Sequence, residues 1–175
     1  FSSVTGEGKE ELLKAMANSL DGGAEDDITR GLVSAGETVV LVMPQDGSAP
    51  KGRLIQPQVQ TLRNLLDKHC IALCCAPEEL PAMLGGLKSP PALVITDSQL
   101  FKAVEKMVPP ATRLTSFSVL MARQKGDIRL FRRGADALLA LPRNGRVLIA
   151  EACSHVPQNE DIGRVKLPRL LHAKF

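Results

Sequence analysis

The sequence contains no Trp and no Tyr, and its only aromatic residues are five Phe. A core without large rings has to be mainly aliphatic, and a surface without them lacks the stacking platforms that single-stranded nucleic acids use. The formal net charge is only +3, from 22 basic and 19 acidic residues. Because no long Lys/Arg stripe accompanies this small excess, we expect no nucleic-acid partner.

Long hydrophobic runs and a signal-peptide pattern are also absent. No apolar run reaches the ~18 residues that a membrane-spanning helix needs, so we expect no membrane partner. Four cysteines, Cys70, Cys74, Cys75 and Cys153, lack the spacing of a secreted disulfide framework. Three of them fall in one apolar run that predicts a buried strand, and this usage indicates a reducing compartment.

What is present is typical of a globular protein. Of 175 residues, 44% are hydrophobic and 23% are charged, which is enough for one ordinary domain with a sizeable core. The chain begins with Phe1 rather than Met. We therefore expect a fragment or a processed product.

Short apolar runs alternate with helical patterns along most of the chain. The predicted strands are TVVLVM (38–43), CIALCC (70–75), ALVIT (92–96), the weaker LTSF (114–117) and RVLIAEA (146–152). Strands that are apolar throughout are typical of a parallel sheet that is covered on both faces. The predicted fold class is therefore α/β, with a mainly parallel sheet of four to five strands and helices on both faces.

The two ends of the chain depart from this alternation. A Gly-containing loop and a helix form the first 20 residues, and a Gly- and acid-rich linker follows at residues 21–27. After the last predicted strand, two prolines, Asn159 and Gly163 predict an extended or turning tail.

Cys153 and His155 lie where the last predicted strand ends, at the edge where parallel sheets gather ligand groups. Thiolate and imidazole are ligands for zinc, iron and iron–sulfur clusters, but a stable site usually has three or four ligands. Three alternatives stay open from the residues alone. They are a metal site, a thiol enzyme with His155 as base and Glu151 as its orienting group, and a buried thiol beside a surface histidine.

Other candidate groups have simpler explanations. Core packing is the favoured role of His69 and Cys70, and a solvated loop is the favoured state of the basic cluster at residues 51–53. Asp97 and Ser98 are favoured as helix caps. Neither a GxxxxGK[ST] loop nor a Gly-rich fingerprint after a strand is present, so this chain has no motif for nucleotide hydrolysis of its own.

Taken together, these motifs resemble one family. SSVTGEGKEEL resembles the last nucleotide-binding element of small bacterial-type GTPases, with Ser3 where Ala is usual. The rest of the chain resembles the HydF family of FeFe-hydrogenase maturation GTPases. Three groups of motifs carry this resemblance: APKGRLI followed by PQVQ, then VITDSQ, and finally EACSH followed by DIGRVK and PR. The resemblance spans essentially all of residues 28–171.

The resemblance implies a scaffold or carrier on which the di-iron subcluster of the hydrogenase H-cluster is assembled. The implied partners are a second copy in a homodimer, two radical-SAM maturases and the apo-FeFe-hydrogenase. The implied domains are the end of a GTPase domain (1–20), a linker (21–27), an α/β dimerisation domain (28–152) and the start of a domain that binds a 4Fe–4S cluster (153–175). The implied compartment is the cytoplasm, or the chloroplast stroma in an alga.

The resemblance also implies site residues. Ser2, Ser3 and Val4 match a guanine-contacting loop, while Cys153 and His155 match the first half of a Cys-x-His, His-Cys-x-x-Cys cluster motif. No Cys follows Cys153, and the Asn-Lys-x-Asp guanine motif is absent. We therefore expect no catalytic residue, and neither GTP nor a cluster bound by this chain alone. The alternatives are a free-standing metal or thiol enzyme that uses Cys153 and His155, and a nucleotide-binding module.

Overall fold

The computed structural model describes residues 2, 4–19, 27–45, 52–142, 144–150 and 161–174. The chain divides into two compact units, Phe1–Gly126 and Asp127–Phe175. The predicted boundary between the dimerisation domain and the cluster-binding domain, at residues 152 and 153, lies further along the chain than this division.

A parallel sheet forms the centre of the first unit. Its strands are β1 (Thr38–Val42), β2 (Ile71–Cys75), β3 (Leu93–Thr96) and β4 (Arg113–Ser116). They lie in the order β2-β1-β3-β4, and Val40 of β1 lies opposite Leu73 of β2 and Val94 of β3. These strands match four of the predicted runs, and the predicted α/β class is confirmed.

Helix α1 (Lys9–Ser19) precedes β1. Three described helices connect the strands: α2 (Gln56–Asp67), α3 (Leu80–Gly86) and α4 (Phe101–Glu105), with 3₁₀ turns at Pro77–Glu79 and Ser98–Leu100. Helix α5 (Phe117–Lys125) follows β4. The predicted cap Asp97 accepts a hydrogen bond from the Gln99 N–H at 3.4 Å. Ser116 likewise caps α5, because its Oγ accepts from the Val119 N–H at 3.3 Å.

Two apolar clusters lie on the two faces of the sheet. One includes Val39, Leu41, Leu65, Ile95, Phe117 and Leu120, and the other includes Val40, Val42, Leu80, Val94 and Val104. Helices α2 and α5 contribute to the first cluster, while α3 and α4 contribute to the second. Central strands β1 and β3 are buried because both of their faces are covered.

Strand β2 differs from its prediction as a buried strand. Ile71 is 53% exposed and Cys74 is exposed, because β2 lies at the edge of the sheet. The predicted core role is confirmed for Cys70, whose buried thiol donates to the Ser34 carbonyl at 3.3 Å. It is wrong for His69, an exposed residue with φ +58° in the turn between α2 and β2.

The second unit contains helix α6 (Ile128–Leu139), a π-helical turn (Ile162–Lys166) and helix α7 (Leu167–Lys174). Residues 146–150, in the predicted fifth strand, have no strand pairing, and Leu148 is 90% exposed. The predicted fifth strand is therefore wrong over residues 146–150, which belong to the second unit, where no strand is described. Residues 162–174 are helical where an extended or turning tail was expected, because Asp161 accepts from the Arg164 N–H at 2.8 Å and starts a helical segment.

A polar network joins the last residue of the predicted linker, Asp27, and the residues that follow it to the end of α2. Lys68 Nζ lies 2.9 Å from Asp27 Oδ2 and 3.3 Å from the Thr29 carbonyl oxygen. The hydroxyl of buried Thr29 donates to Asn64 Oδ1 at 2.8 Å. Burial raises the pKa of Asp27, but the hydrogen bond and charge of Lys68, with hydrogen bonds from Asn64 and Thr29, outweigh it and lower this pKa.

We expect Asp27→Asn to lower the free energy of unfolding by about 1–2 kcal/mol at neutral pH, since Lys68 loses its charged partner. Because the folded-state pKa of Asp27 is depressed, its contribution is present above the unfolded-state value of ~3.9 and is lost as the pH falls through the folded-state value. Urea unfolding at pH 7 and at pH 3 measures this, and the difference between the two proteins should be smaller at the lower pH. Asp67→Asn is the control, because its pair with Arg63 is exposed and should matter little; an equal loss there would contradict the assignment.

Candidate self-association site

Strand β2 leaves one side of its backbone unpaired among the described residues. The Ile71 N–H donates to the Glu37 carbonyl at 2.9 Å, and the Cys75 carbonyl accepts from the Met43 N–H at 2.9 Å. Residues 71, 73 and 75 therefore direct their peptide groups towards β1. Because these directions alternate along a strand, the N–H and C=O groups of Ala72 and Cys74 face the open side.

The side chains of β2 offer no protection to this edge. The strand reads Ile-Ala-Leu-Cys-Cys, with no charge and no proline. Sheet edges in soluble proteins are usually protected by lysine, proline, a bulge or a covering element. An apolar edge without these residues is a template for pairing with another strand.

The opposite edge is protected. Strand β4 has four residues, and Pro109 and Pro110 precede it. Its first residue is Arg113, whose Nε donates to the carbonyl of Ala92, the residue just before the neighbouring strand β3, at 3.2 Å. A charge and nearby prolines are features that disfavour pairing between chains, so the contrast favours β2 as the self-association edge.

The thiols around β2 are poorly suited to metal binding or nucleophilic chemistry. Loss of surrounding water raises the pKa values of the Cys70, Cys74 and Cys75 thiols, for Cys74 even though the residue as a whole is exposed. The negative charge of Glu79 raises the pKa of Cys75 further. Metal binding and nucleophilic attack both require the thiolate. Within the described ranges, no group of three or more His, Cys, Asp or Glu side chains is placed to hold a metal ion.

The site residues implied by the resemblance are only partly within the described chain. Cys153 and His155 lie outside it, as does Ser3. Ser2 Oγ accepts from the Thr5 N–H at 3.2 Å, the Ser2 N–H donates to the Glu7 carbonyl at 2.9 Å, and Val4 is 93% exposed. This loop closes on itself ahead of α1. Guanine contact by the loop and cluster ligation by Cys153 and His155 both stay predictions.

Sequence reasoning identified the residues of β2 but missed their exposure. An apolar run predicts a strand without giving its position in the sheet. An apolar run without charge or proline, such as CIALCC, predicts a buried strand. A sheet edge that pairs with a strand of another chain has the same composition. The edge position comes from the strand order, in which β2 and β3 lie on opposite sides of β1.

The fold and the open edge together define an α/β domain suited to self-association. A family model described as the hydrogen maturase F dimerization domain matches residues 28–126, and one described as the hydrogen maturase F tetramerization domain matches residues 129–175. The first alone covers more than half of the 175 residues. The chain belongs to the hydrogen maturase F family, which confirms the resemblance, a role in hydrogenase maturation and self-association.

Other comparisons add little. No curated protein matches the chain significantly. A solved structure from a study of fatty acyl-adenylate ligases from E. coli and L. pneumophila is similar at 18% identity and a TM-score of 0.42. The match covers 64% of this chain and 19% of that chain, so this chain spans about a fifth of its length. A likeness this low carries no argument about activity. In the described part of the chain, no helix combines the length and apolar character needed to cross a bilayer.

Proposed function

We propose that this chain is the self-association core of a scaffold or carrier on which the di-iron subcluster of the FeFe-hydrogenase H-cluster is assembled. The intact protein would also bind GTP and a 4Fe–4S cluster, and its partners would be two radical-SAM maturases and the apo-hydrogenase. The observation that supports this most is the dimerization-domain match over a unit whose edge strand β2 is unprotected. The described residues offer no set of three metal ligands, so we derive no step through a cluster.

The geometry of β2 fits a second copy of the same strand. In antiparallel pairing about a two-fold axis at Leu73, Ala72 lies opposite Cys74 of the partner subunit, and Cys74 lies opposite Ala72 of the partner subunit. Each such pair exchanges both of its N–H···O bonds, which uses the peptide groups that face the open side. One self-complementary patch then closes a dimer, with a sheet continuous across both copies.

A strand edge alone is smaller than a stable interface, which buries about 800 Å² on each partner. Helix α2 contacts β2 and carries two exposed apolar side chains, Val59 (49% exposed) and Leu66 (54% exposed). Apolar side chains beside a pairing strand add contact area that does not need hydrogen-bonding partners. The proposed dimer surface is therefore the β2 edge with these two residues.

Co-expression with an intact FeFe-hydrogenase maturation system tests the proposal. A chain that supplies only the self-association core should form mixed oligomers with an intact maturase that contains this sequence. When this chain is in about tenfold excess over the intact maturase, mass action leaves only roughly one intact subunit in ten paired with another intact subunit. We expect hydrogenase activation, measured as H₂ evolution, to fall on the order of tenfold.

The control is a variant that pairs poorly through β2, Cys74→Pro. Its co-expression should leave H₂ evolution unchanged. Mixed oligomers without any loss of activation would contradict the scaffold role while leaving self-association intact. A chain that stays monomeric and forms no mixed oligomers would contradict both.

A further inference from the structure

At the carboxyl end of the sheet, the chain leaves two neighbouring strands in opposite directions. Strand β1 continues into α2 on one face of the sheet, and β3 continues into α4 on the other face. In open parallel sheets, ligands bind in the crevice outside the carboxyl ends of such a pair of strands. The first turn of α2, which follows β1, therefore lies where this topology places a ligand.

Helix α2 begins without the side-chain cap that helices usually have. Its N-cap residue is Ile55, and no acidic residue lies in its first turn. Ser, Thr, Asn and Asp are preferred at this position because their oxygen accepts from the first N–H groups. The Gln56 N–H is thus left without a partner among the described residues. The positive end of the dipole of a 12-residue helix lies beside it.

Gln58, also in the first turn, is the residue that points to a ligand. It is only 4% exposed, and its Oε1 accepts from the Ile55 N–H at 3.2 Å. This bond leaves both hydrogens of Nε2 without an acceptor in the part of the chain that the structure describes. The hydroxyl of Thr61, one turn further along α2, is unpaired as well, so it does not receive them. Because buried amide groups normally have partners, the Gln58 NH₂ group calls for an acceptor from outside the described chain.

The unpaired donors lie at one end of the helix. Nε2 and Oε1 of Gln58 belong to one planar carboxamide, and Oε1 is held at the Ile55 N–H, so Nε2 also lies at the helix start. Arg53 is exposed and precedes the N-cap by two residues, which span at most ~7 Å. A carboxamide NH₂, a backbone N–H and a guanidinium are thus available here without a carboxylate in the first turn. Helix starts with such donors bind oxyanions.

The negative charges of this sheet edge lie after other strands. Glu78 and Glu79 follow β2, and Asp97 follows β3, where its carboxylate accepts from the Gln99 N–H. The start of α2 is therefore the place on this edge where an anion is favoured. Thr96, the last residue of β3, is fully buried, and its hydroxyl has no partner among the described residues. It is a second buried polar group beside the crevice that lacks a hydrogen bond.

We infer that the first turn of α2 is a binding site for an oxyanion, the phosphate or carboxylate group of a small ligand. The Gln58 NH₂ group, the Gln56 N–H and the Arg53 guanidinium hold it. The Gln58 side chain then has two tasks, because its Oε1 caps the helix and its Nε2 binds the ligand. The site needs no contact between copies of the chain, so it stands apart from the β2 edge and from the proposed function.

An NMR titration of the ¹⁵N-labelled 175-residue chain with inorganic phosphate, at constant ionic strength, tests the inference. We expect the Gln56 N–H and the Gln58 NH₂ resonances to shift together and to saturate. Gln58→Glu keeps an oxygen that accepts from the Ile55 N–H, but it replaces the NH₂ donor by a negatively charged acceptor. The dissociation constant for phosphate should rise at least about tenfold. The melting temperature should not fall, because an acidic residue in the first turn favours the helix.

Gln60→Glu is the matched control, because it adds the same charge to the same helix on its opposite side. It should change the dissociation constant by less than about twofold. Arg53→Gln is a second variant, at an exposed position where the fold is not at risk, and it should weaken binding roughly two- to fivefold. Sodium acetate in place of phosphate distinguishes the two sources of the oxyanion, since saturation by only one of them identifies the group that the site accepts.

Several outcomes overturn the inference. Shifts that fail to saturate with either anion would show that no site exists. Phosphate binding that Gln58→Glu leaves unaltered, or that Gln60→Glu weakens equally, would mean that net charge rather than the first turn of α2 attracts the anion. If Gln58→Glu does not fold, Arg53→Gln decides, and an unchanged dissociation constant in that variant refutes the site.

Discussion

Replacing Cys74 by proline is expected to weaken the dimer roughly 100-fold while leaving the first unit folded. The Cys74 N–H faces the open side of β2, so its loss removes no bond to β1, and edge strands tolerate proline in this orientation. In the proposed dimer that N–H donates to Ala72 of the partner subunit. Each dimer loses two such hydrogen bonds at about 1 kcal/mol each, and the proline ring also keeps the strands apart. The dissociation constant should rise roughly 100-fold, as measured by sedimentation equilibrium.

Cys74→Ala is the matched control for this substitution. It removes the same thiol but keeps the N–H, so the dimer should persist with little change in its dissociation constant. Far-UV circular dichroism of both variants should match that of the wild type. The unfolding midpoint of Cys74→Pro should match that of the wild type at concentrations too low for the dimer to form, because dimerisation itself raises the midpoint. Equal dimerisation of Cys74→Pro and Cys74→Ala would show that the copies associate through a surface other than β2.

The architecture of the first unit followed from periodicity because each element has a local cause. Runs such as TVVLVM are β-branched and apolar throughout, so they form strands covered on both faces. Pro57 lies in the first turn of α2, where its missing N–H leaves no bond unmade. Strand order has no such local signal. CIALCC and TVVLVM look alike in the sequence, and only the crossover connections place one at the edge and the other at the centre.

The candidate site was harder to predict, for a related reason. Cys153 and His155 attract notice because thiol and imidazole are rare and reactive, and they lie outside the described residues. A self-association surface consists instead of common apolar residues. Whether such a residue belongs to the core or to an interface depends on its exposure in the folded chain. Leu130 and Phe131 fit a core-facing helix equally well from spacing alone. Spacing does not show that Leu130 and Phe131 are 54% and 48% exposed.

Leu65→Ala is expected to cause a large loss of stability in the first unit. Leu65 is fully buried where α2 packs against the face of the sheet that holds Val39 and Leu41. Leu-to-Ala substitutions at such positions cost about 2–5 kcal/mol, because lost transfer free energy adds to the cavity left behind. A loss of about 3 kcal/mol should lower the melting temperature by roughly 10 °C in a unit of this size, as measured by differential scanning calorimetry.

Leu66→Ala provides the comparison within the same helix, because its side chain is 54% exposed. The two variants delete the same atoms at adjacent positions, so helix propensity and composition cancel and burial alone distinguishes them. Leu66→Ala should shift the melting temperature by less than about 2 °C, but it should weaken dimerisation if α2 widens the β2 surface. Similar melting shifts in both variants would mean that α2 does not cover the sheet as described. We expect Leu65→Ala to lose stability and Leu66→Ala to lose association. That result would show that one side of α2 packs on the sheet and another side contacts the second copy.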